Sequence, residues 1–212
     1  MFERLRGLEW PTLVLLALCY ALWALGTTVG AAMWLPLGMV MVVIGAALHS
    51  SLTHEMLHGH PFTSPVWNAV LVFPALSLVV PGLRVEDTDM AHHRDAILTD
   101  PYDDPESNFM DPKVWGRLPR WGRALLRVNN TLAGRMLLGP LIGTLGFVMW
   151  DARALRRGDR RVALGWLLHV PAVGVVVWWM VAVGQMPVWA FLVSTYAALS
   201  VLKIRTFLEH RA

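Results

Sequence analysis

The sequence predicts an all-α integral membrane protein with four transmembrane helices in two hairpins, joined by interfacial or re-entrant helices and a cytoplasmic cap. Hydrophobic residues make up 56% of the 212-residue chain, and its mean hydropathy is +0.49. No Asp, Glu, Lys or Arg occurs from Trp10 to His54 or from Val162 to Leu202. Each run is about twice the ~20 apolar residues that one span needs, so each run predicts two spans.

Each uncharged run contains a short stretch that can reverse the chain. In the first run this is 26–30, which begins and ends with glycine, and in the second it is 184–187, which contains Gly184 and Pro187. We therefore interpret residues 1–212 as a single membrane domain with two helical hairpins. The predicted spans are 11–29, 33–52, 163–183 and 188–204.

The distribution of basic residues predicts the orientation of the spans. The chain has 18 Lys and Arg residues, and neither short connector carries one. Cytoplasmic loops are enriched in Lys and Arg, so the regions that carry them are predicted to be cytoplasmic. These regions are the N-terminus, the stretch 84–135 with its main polar loop 84–130, the segment 153–161 and the C-terminus. Topology thus accounts for the net charge of +3 without a nucleic-acid partner.

Two further apolar segments do not fit a simple span. Segment 66–83 is about as long as one span but has Pro74 in its middle, which predicts a broken or re-entrant element. Segment 136–150 is short and flanked by arginines, which predicts a helix that lies in the membrane interface.

The residues that can carry chemistry are histidines, of which the chain has eight. His54 and His58 are four residues apart, so they stand on one face of a helix and both imidazoles can reach one metal ion. The only cysteine, Cys19, lies inside the first predicted span. A disulfide framework and a cysteine-rich metal site are therefore excluded.

The histidine pattern is compatible with two kinds of metal chemistry. The stretch His54-Glu55-x-x-His58 formally matches zinc metalloproteases, in which the glutamate is the general base for zinc-bound water. A second pair, His92-His93, lies in the polar loop. Adjacent helical histidines point about 100° apart, which suits two metal ions, or one ligand and one group that orients it. A zinc hydrolase needs three ligands and an open position, so this surplus favours oxygen activation by iron.

The sequence around these histidines resembles the membrane fatty-acid desaturase superfamily, bacterial type. The resemblance covers most of the chain and implies four spans in two hairpins, with a di-iron centre held by histidines from three boxes on the cytoplasmic side. The stretches that carry it are H-S-S-L-T-H-E-M-L-H-G-H-P at 49–61, D-T-D-M-A-H-H-R-D at 87–95, L-T-D-P-Y-D-D-P-E-S at 98–107, N-N-T-L-A-G-R-M-L-L-G-P at 129–140 and R-T-F-L-E-H-R at 205–211.

Carried over residue by residue, the resemblance implies a set of iron ligands. His54 and His58 match the first histidine box. His92 and His93 match the last two positions of the second box. His210, just after the fourth predicted span, resembles a ligand that precedes the third box.

Other residues extend the family pattern or depart from it. Asp89 stands at the first position of the second box, where the family has histidine. A carboxylate can bind iron, so Asp89 either substitutes as a ligand or weakens the site. His49 is a further candidate ligand. Glu55 and His169 are candidates for orienting a ligand imidazole through hydrogen bonds.

The family pattern continues with a third histidine box beyond the fourth span, whereas this chain stops at Ala212. We therefore expect the chain to be a fragment or a prematurely ended reading frame, with an incomplete metal site.

The resemblance implies an oxygen-dependent desaturase of fatty-acyl or lipid chains that uses two non-haem iron ions. It also implies an electron donor, such as a ferredoxin, and a place in the bacterial inner membrane. Three alternatives stay open: a related lipid or carotenoid hydroxylase or ketolase, an intramembrane zinc metalloprotease, and a non-catalytic membrane protein whose histidines are relics or bind metal structurally.

Overall fold

The computed structural model describes residues 9–84 and 111–209. Within these ranges every regular element is a helix and there is no β-strand, which confirms the predicted all-α class. The helices are α1 (Trp10–Met33), α2 (Leu35–Leu57), α3 (Pro65–Leu71), α4 (Pro112–Arg117), α5 (Arg120–Asn129), α6 (Leu132–Arg156), α7 (Arg160–Ala182) and α8 (Val188–Glu209).

Among the described residues, four helices are long and apolar enough to cross a membrane. They are α1, α2, α6 and α7, whereas the apolar part of α8, Val188–Ile204, is shorter. The number of long apolar helices agrees with the prediction, but the set differs. Helix α6 is among them, although its sequence predicts a short segment.

The predicted length of segment 136–150 is therefore wrong, because α6 has 25 residues. At its start the hydroxyl oxygen of Thr131 accepts a hydrogen bond of 3.1 Å from the backbone N–H of Gly134 and so caps the helix. At its end Arg153 and Arg156 lie in the last turn, where positive charge interacts favourably with the helix dipole. The predicted position of this helix in the membrane interface stays a prediction.

The chain divides into two compact units, and the single membrane domain stays a prediction. The first comprises residues 1–86 and 158–198, and the second comprises 87–157 and 199–212. The buried apolar core of the first unit is built from α1, α2, α7 and the first turns of α8, with Leu76 from the segment after α3.

The stretch 26–30 does not reverse the chain as predicted. It forms a π-helical turn inside α1, and the reversal occurs at Trp34, whose backbone is extended. A side chain at Gly38 of α2 would place its Cβ 2.6 Å from the carbonyl oxygen of Gly26. Glycine at these positions therefore allows α1 and α2 to approach closely, and the chain reverses beyond them, at Trp34.

The second hairpin is attached to the first at Thr27. The backbone N–H of Gln185, in the connector between α7 and α8, donates to the Thr27 carbonyl at 2.8 Å. The indole Nε1 of Trp179 donates to the Thr27 hydroxyl at 3.0 Å, and its ring packs against Trp23. The connector between α7 and α8 thus lies against α1 near the turn of the first hairpin, and the predicted orientation in the membrane stays a prediction.

Segment 66–83 is not a continuous helix, which confirms its prediction as a broken element. Helix α3 ends at Leu71, three residues before Pro74, because proline cannot continue the helical hydrogen-bond pattern. The chain then runs irregularly past α7, where the N–H of Ala75 donates to the carbonyl of Ala172 at 3.4 Å.

The close approach of α1 and α2 gives a test. We expect Gly38→Ala to lower the free energy of unfolding by about 1–3 kcal/mol, because the new methyl group meets backbone that cannot move aside. Thermal unfolding of the detergent-purified protein measures this. Gly174→Ala in α7 is the matched control, since a Cβ there meets nothing within 4 Å. Equal losses in both variants would contradict the packing role of Gly38.

Candidate metal centre

The paired histidines lie at the carboxyl end of α2. His54 is in the last turn of the helix and His58 is its C-cap residue, so the helical repeat brings the two imidazoles together. Their ring centroids are 5.0 Å apart, and the ring planes are tilted by 55°. This confirms that the two rings share one face. The arrangement offers two neighbouring nitrogen donors to a metal ion.

Helix α2 ends here because of its sequence. Gly59 has a φ of +89°, a left-handed conformation that glycine adopts without steric cost and that commonly ends helices. The N–H groups of His58 and Gly59 donate to the carbonyls of Glu55 and Met56. The second histidine is therefore held in the closing turn of the helix and not in a freely extended loop.

Asn68 of α3 braces the loop that follows the histidine pair. Its side chain is 1% exposed. The amide Nδ2 donates to the carbonyls of Phe62 and Met56, at 2.8 and 3.4 Å, and Oδ1 accepts from the N–H of Phe62 at 3.1 Å. One buried side chain thus joins the end of α2, the loop and α3.

His60 joins the same loop to the start of α1. Its Nδ1 lies 2.7 Å from a carboxylate oxygen of Glu9, and its Nε2 lies 3.6 Å from one of Glu55. The Glu9 carboxylate also accepts a hydrogen bond of 3.4 Å from the hydroxyl of Thr12. Both ring nitrogens of His60 therefore face carboxylates, which makes it a connecting residue and a poor candidate for a metal ligand.

His49 lies deeper in α2, where it is buried against Tyr20 of α1. The hydroxyl of Tyr20 donates to the carbonyl of Leu71 at 2.6 Å and lies 3.4 Å from Nε2 of His49. Because the hydroxyl proton is used by Leu71, the imidazole is the donor in the second contact. This engages Nε2 and leaves only Nδ1 of His49 for a metal.

His169 is buried in α7 and holds the irregular segment after α3. Its Nε2 donates to the carbonyl of Leu78 at 3.1 Å, and its ring meets Trp166 edge-on at 5.7 Å. Leu78 has a φ of 62°, so the carbonyl that His169 binds belongs to a distorted stretch of backbone. An apolar interior offers no water to such a group, and His169 supplies the donor instead.

The other predicted ligands, Asp89, His92, His93 and His210, lie outside the described residues. Within 9–84 and 111–209, no group of three or more His, Cys, Asp or Glu side chains could hold a metal ion. The described part of the chain thus contributes two imidazoles at the end of α2. Imidazole is a ligand of Zn, Cu, Fe and Ni, so two imidazoles at this distance fit part of a histidine-bound transition-metal site.

Fold and site together define a helical membrane protein that presents paired imidazoles at the end of an apolar helix. A family model described as fatty acid desaturase matches residues 30–212. The chain belongs to the fatty acid desaturase family. It is accordingly a membrane protein from a family of oxidoreductases that act on lipids. No curated protein and no solved structure matches the chain.

The residues that brace the site were not predicted. Asn68 and Tyr20 are single polar residues within apolar segments, a pattern that signals a hydrogen-bonding role when the segment is buried in a membrane. The contact of Glu9 with His60 was harder to predict. Acidic residues are common beside the first turn of a helix because they interact favourably with the helix dipole.

Bracing by Asn68 can be tested. We expect Asn68→Ala to lower the free energy of unfolding by about 2–4 kcal/mol, because it leaves buried carbonyls without donors. Thermal unfolding and limited proteolysis within 59–65 report the effect. Thr63→Ala, an exposed position in the same loop, is the control and should leave both measurements unchanged. If Asn68→Ala behaves like the control, the hydrogen bonds do not stabilise the loop.

Proposed function

We propose that this protein is an oxygen-dependent desaturase of fatty-acyl or lipid chains, with a di-iron centre bound by histidines. The observation that carries the proposal is the His54–His58 pair, with ring centroids 5.0 Å apart at the end of an apolar helix, inside the stretch matched by the family.

The chemistry of the substrate requires such a centre. An alkyl chain has unactivated C–H bonds, and no amino-acid side chain is a strong enough oxidant to remove hydrogen from them. Bound iron, with O2 and an external electron donor, supplies this oxidising power. Imidazole is a suitable ligand for iron, and a metal-binding residue beside an apolar helix is close to where a lipid chain lies.

The protein positions the ligands and keeps them oriented. His54 and His58 would each provide one nitrogen, and Asp89, His92, His93 and His210 are the proposed further ligands. The closing turn of α2 and the brace of Asn68 hold the first pair in place, so that little ordering is needed when metal binds.

The remaining candidate residues have more limited roles. We propose that His169 acts on the site only indirectly, by holding the segment around Leu78. His49 could add a ligand only through Nδ1, because Tyr20 engages its other nitrogen. Glu55 would orient a ligand imidazole or, as the contact with His60 favours, keep the loop at the end of α2 in place.

The proposed setting is the bacterial inner membrane, with the N-terminus and the histidines at the cytoplasmic face. A site at the cytoplasmic face would be accessible to a soluble electron donor, such as a ferredoxin. The substrate would reach it from the bilayer.

Lipid analysis tests the reaction. We expect cells that express the protein to contain a new unsaturated acyl chain, seen by gas chromatography with mass spectrometry. His54→Ala should abolish the product, because the metal ion proposed to bind His54 and His58 loses one of these two ligands. A new hydroxylated chain would identify the related hydroxylase instead. Unchanged lipids in cells that hold folded, iron-loaded protein would contradict the proposal.

Metal analysis separates iron from zinc. We expect the purified complete protein, including a third histidine box, to hold about two irons per chain, given its surplus of histidines. His58→Ala should lower the iron content, whereas His60→Ala, whose ring faces two carboxylates, should keep it. A metalloprotease would instead hold zinc alone. In that case Glu55→Gln would abolish peptide cleavage while the zinc stays bound.

A further inference from the structure

Helix α5 and the short α4 before it carry an unusual concentration of positive charge. Stretch 112–135 contains Lys113 and five arginines, but no Asp or Glu. The arginines of α4 and α5 are Arg117, Arg120, Arg123 and Arg127. No acidic side chain within this stretch can balance them.

Apart from Arg127 in the last turn, this charge does not stabilise the helix in water. Arg120 is the first residue of α5, where the helix dipole disfavours a cation. Arg120, Arg123 and Arg127 follow one another at spacings of three and four residues, so they repel along one side of the helix. Negative charge from outside this stretch would therefore stabilise the helix.

A second face of α5 is apolar and exposed. Trp121, Leu125 and Val128 recur at spacings of four and three residues, which places them on one side of the helix. Their side chains are 73%, 38% and 51% exposed. In water such a row costs free energy, so it indicates contact with an apolar phase or partner.

The third face of α5 packs against α6. Gly122 and Asn129 are buried, and Nε of Arg135 in α6 donates to the carbonyl of Asn129 at 3.2 Å. Helix α5 is thus tied to the start of a helix that is itself long and apolar enough to cross a membrane. Its exposed faces are held in a fixed orientation relative to that helix.

We infer that α5 is a docking surface for anionic phospholipid headgroups. Its apolar row would enter the boundary between headgroups and acyl chains, while Arg117 and Arg120 bind phosphate groups beside it. Arg127 lies 5.7 Å from the ring of Trp115 and so links the two helices through a cation–π contact. This role is independent of the proposed reaction, because it requires neither metal nor substrate.

Charge alone would also suit an acidic protein, such as a soluble electron carrier. The apolar row favours lipid, because Trp and aliphatic side chains beside arginines match the interface of a bilayer, and α6 joins this helix to an apolar element of membrane length.

An environment-sensitive nitrobenzoxadiazole label at Ala124→Cys tests the inference. Position 124 is exposed beside the apolar row, and Cys19→Ala removes the one native thiol. The full chain is placed in nanodiscs of phosphatidylcholine, with or without phosphatidylglycerol. With phosphatidylglycerol we expect blue-shifted emission and quenching by a lipid-borne quencher. High salt should weaken this contact without any mutation of the arginines, because it screens the charges.

Removing two charges should release the helix. We expect R117Q/R120Q to lower the equilibrium constant for docking about 30-fold, since each arginine near an anionic surface contributes about 1 kcal/mol. R156Q/R157Q, at the exposed end of α6, removes the same charge elsewhere and should keep the label in lipid.

Four results would overturn the inference. The first is a label that stays in water with phosphatidylglycerol present. The second is label emission that changes with neither the anionic lipid nor the salt concentration. The third is an equal shift in the two double variants. The fourth is shielding of the label only after an acidic electron carrier is added, which would identify α5 as a protein-docking face.

Discussion

The need to satisfy backbone hydrogen bonds in an apolar interior is the constraint on which this structure depends. A chain can leave helical geometry inside a membrane only where the protein itself provides partners. After α3 ends, the carbonyls of Leu71 and Leu78 receive donors from Tyr20 and His169. Pro74 breaks the helix, and these two side chains, from different hairpins, supply donors to the backbone carbonyls that the break leaves without helical partners.

The same constraint explains how the histidine pair is held. The end of α2 exposes carbonyls that a longer helix would have used, and the amide of Asn68 supplies a donor to Met56. His58 is therefore part of a closed turn. If His54 and His58 bind a metal as proposed, their backbone is already ordered, which lowers the entropic cost of binding.

Sequence reasoning predicted the helices of the first unit because two long uncharged runs are a strong signal. It underestimated α6, since Arg135 and Asp151 interrupt the apolar pattern, yet the structure buries both. The spacing of His54 and His58 predicted their proximity, because a helical repeat is local. The roles of Tyr20 and Asn68 were not predictable in this way. Tyr20 meets Leu71 across 51 residues, and no local pattern encodes such a contact.

The junction at Thr27 has a consequence for biosynthesis. The first hairpin leaves the ribosome long before Trp179 and Gln185 exist, so a partly made chain enters the membrane without these hydrogen bonds. Until the second hairpin arrives, the side of α1 around Trp23 and Thr27 lacks its partner. The two hairpins can therefore join at Thr27 only after Trp179 and Gln185 have been made, and until then the Thr27 carbonyl lacks the donor that Gln185 supplies.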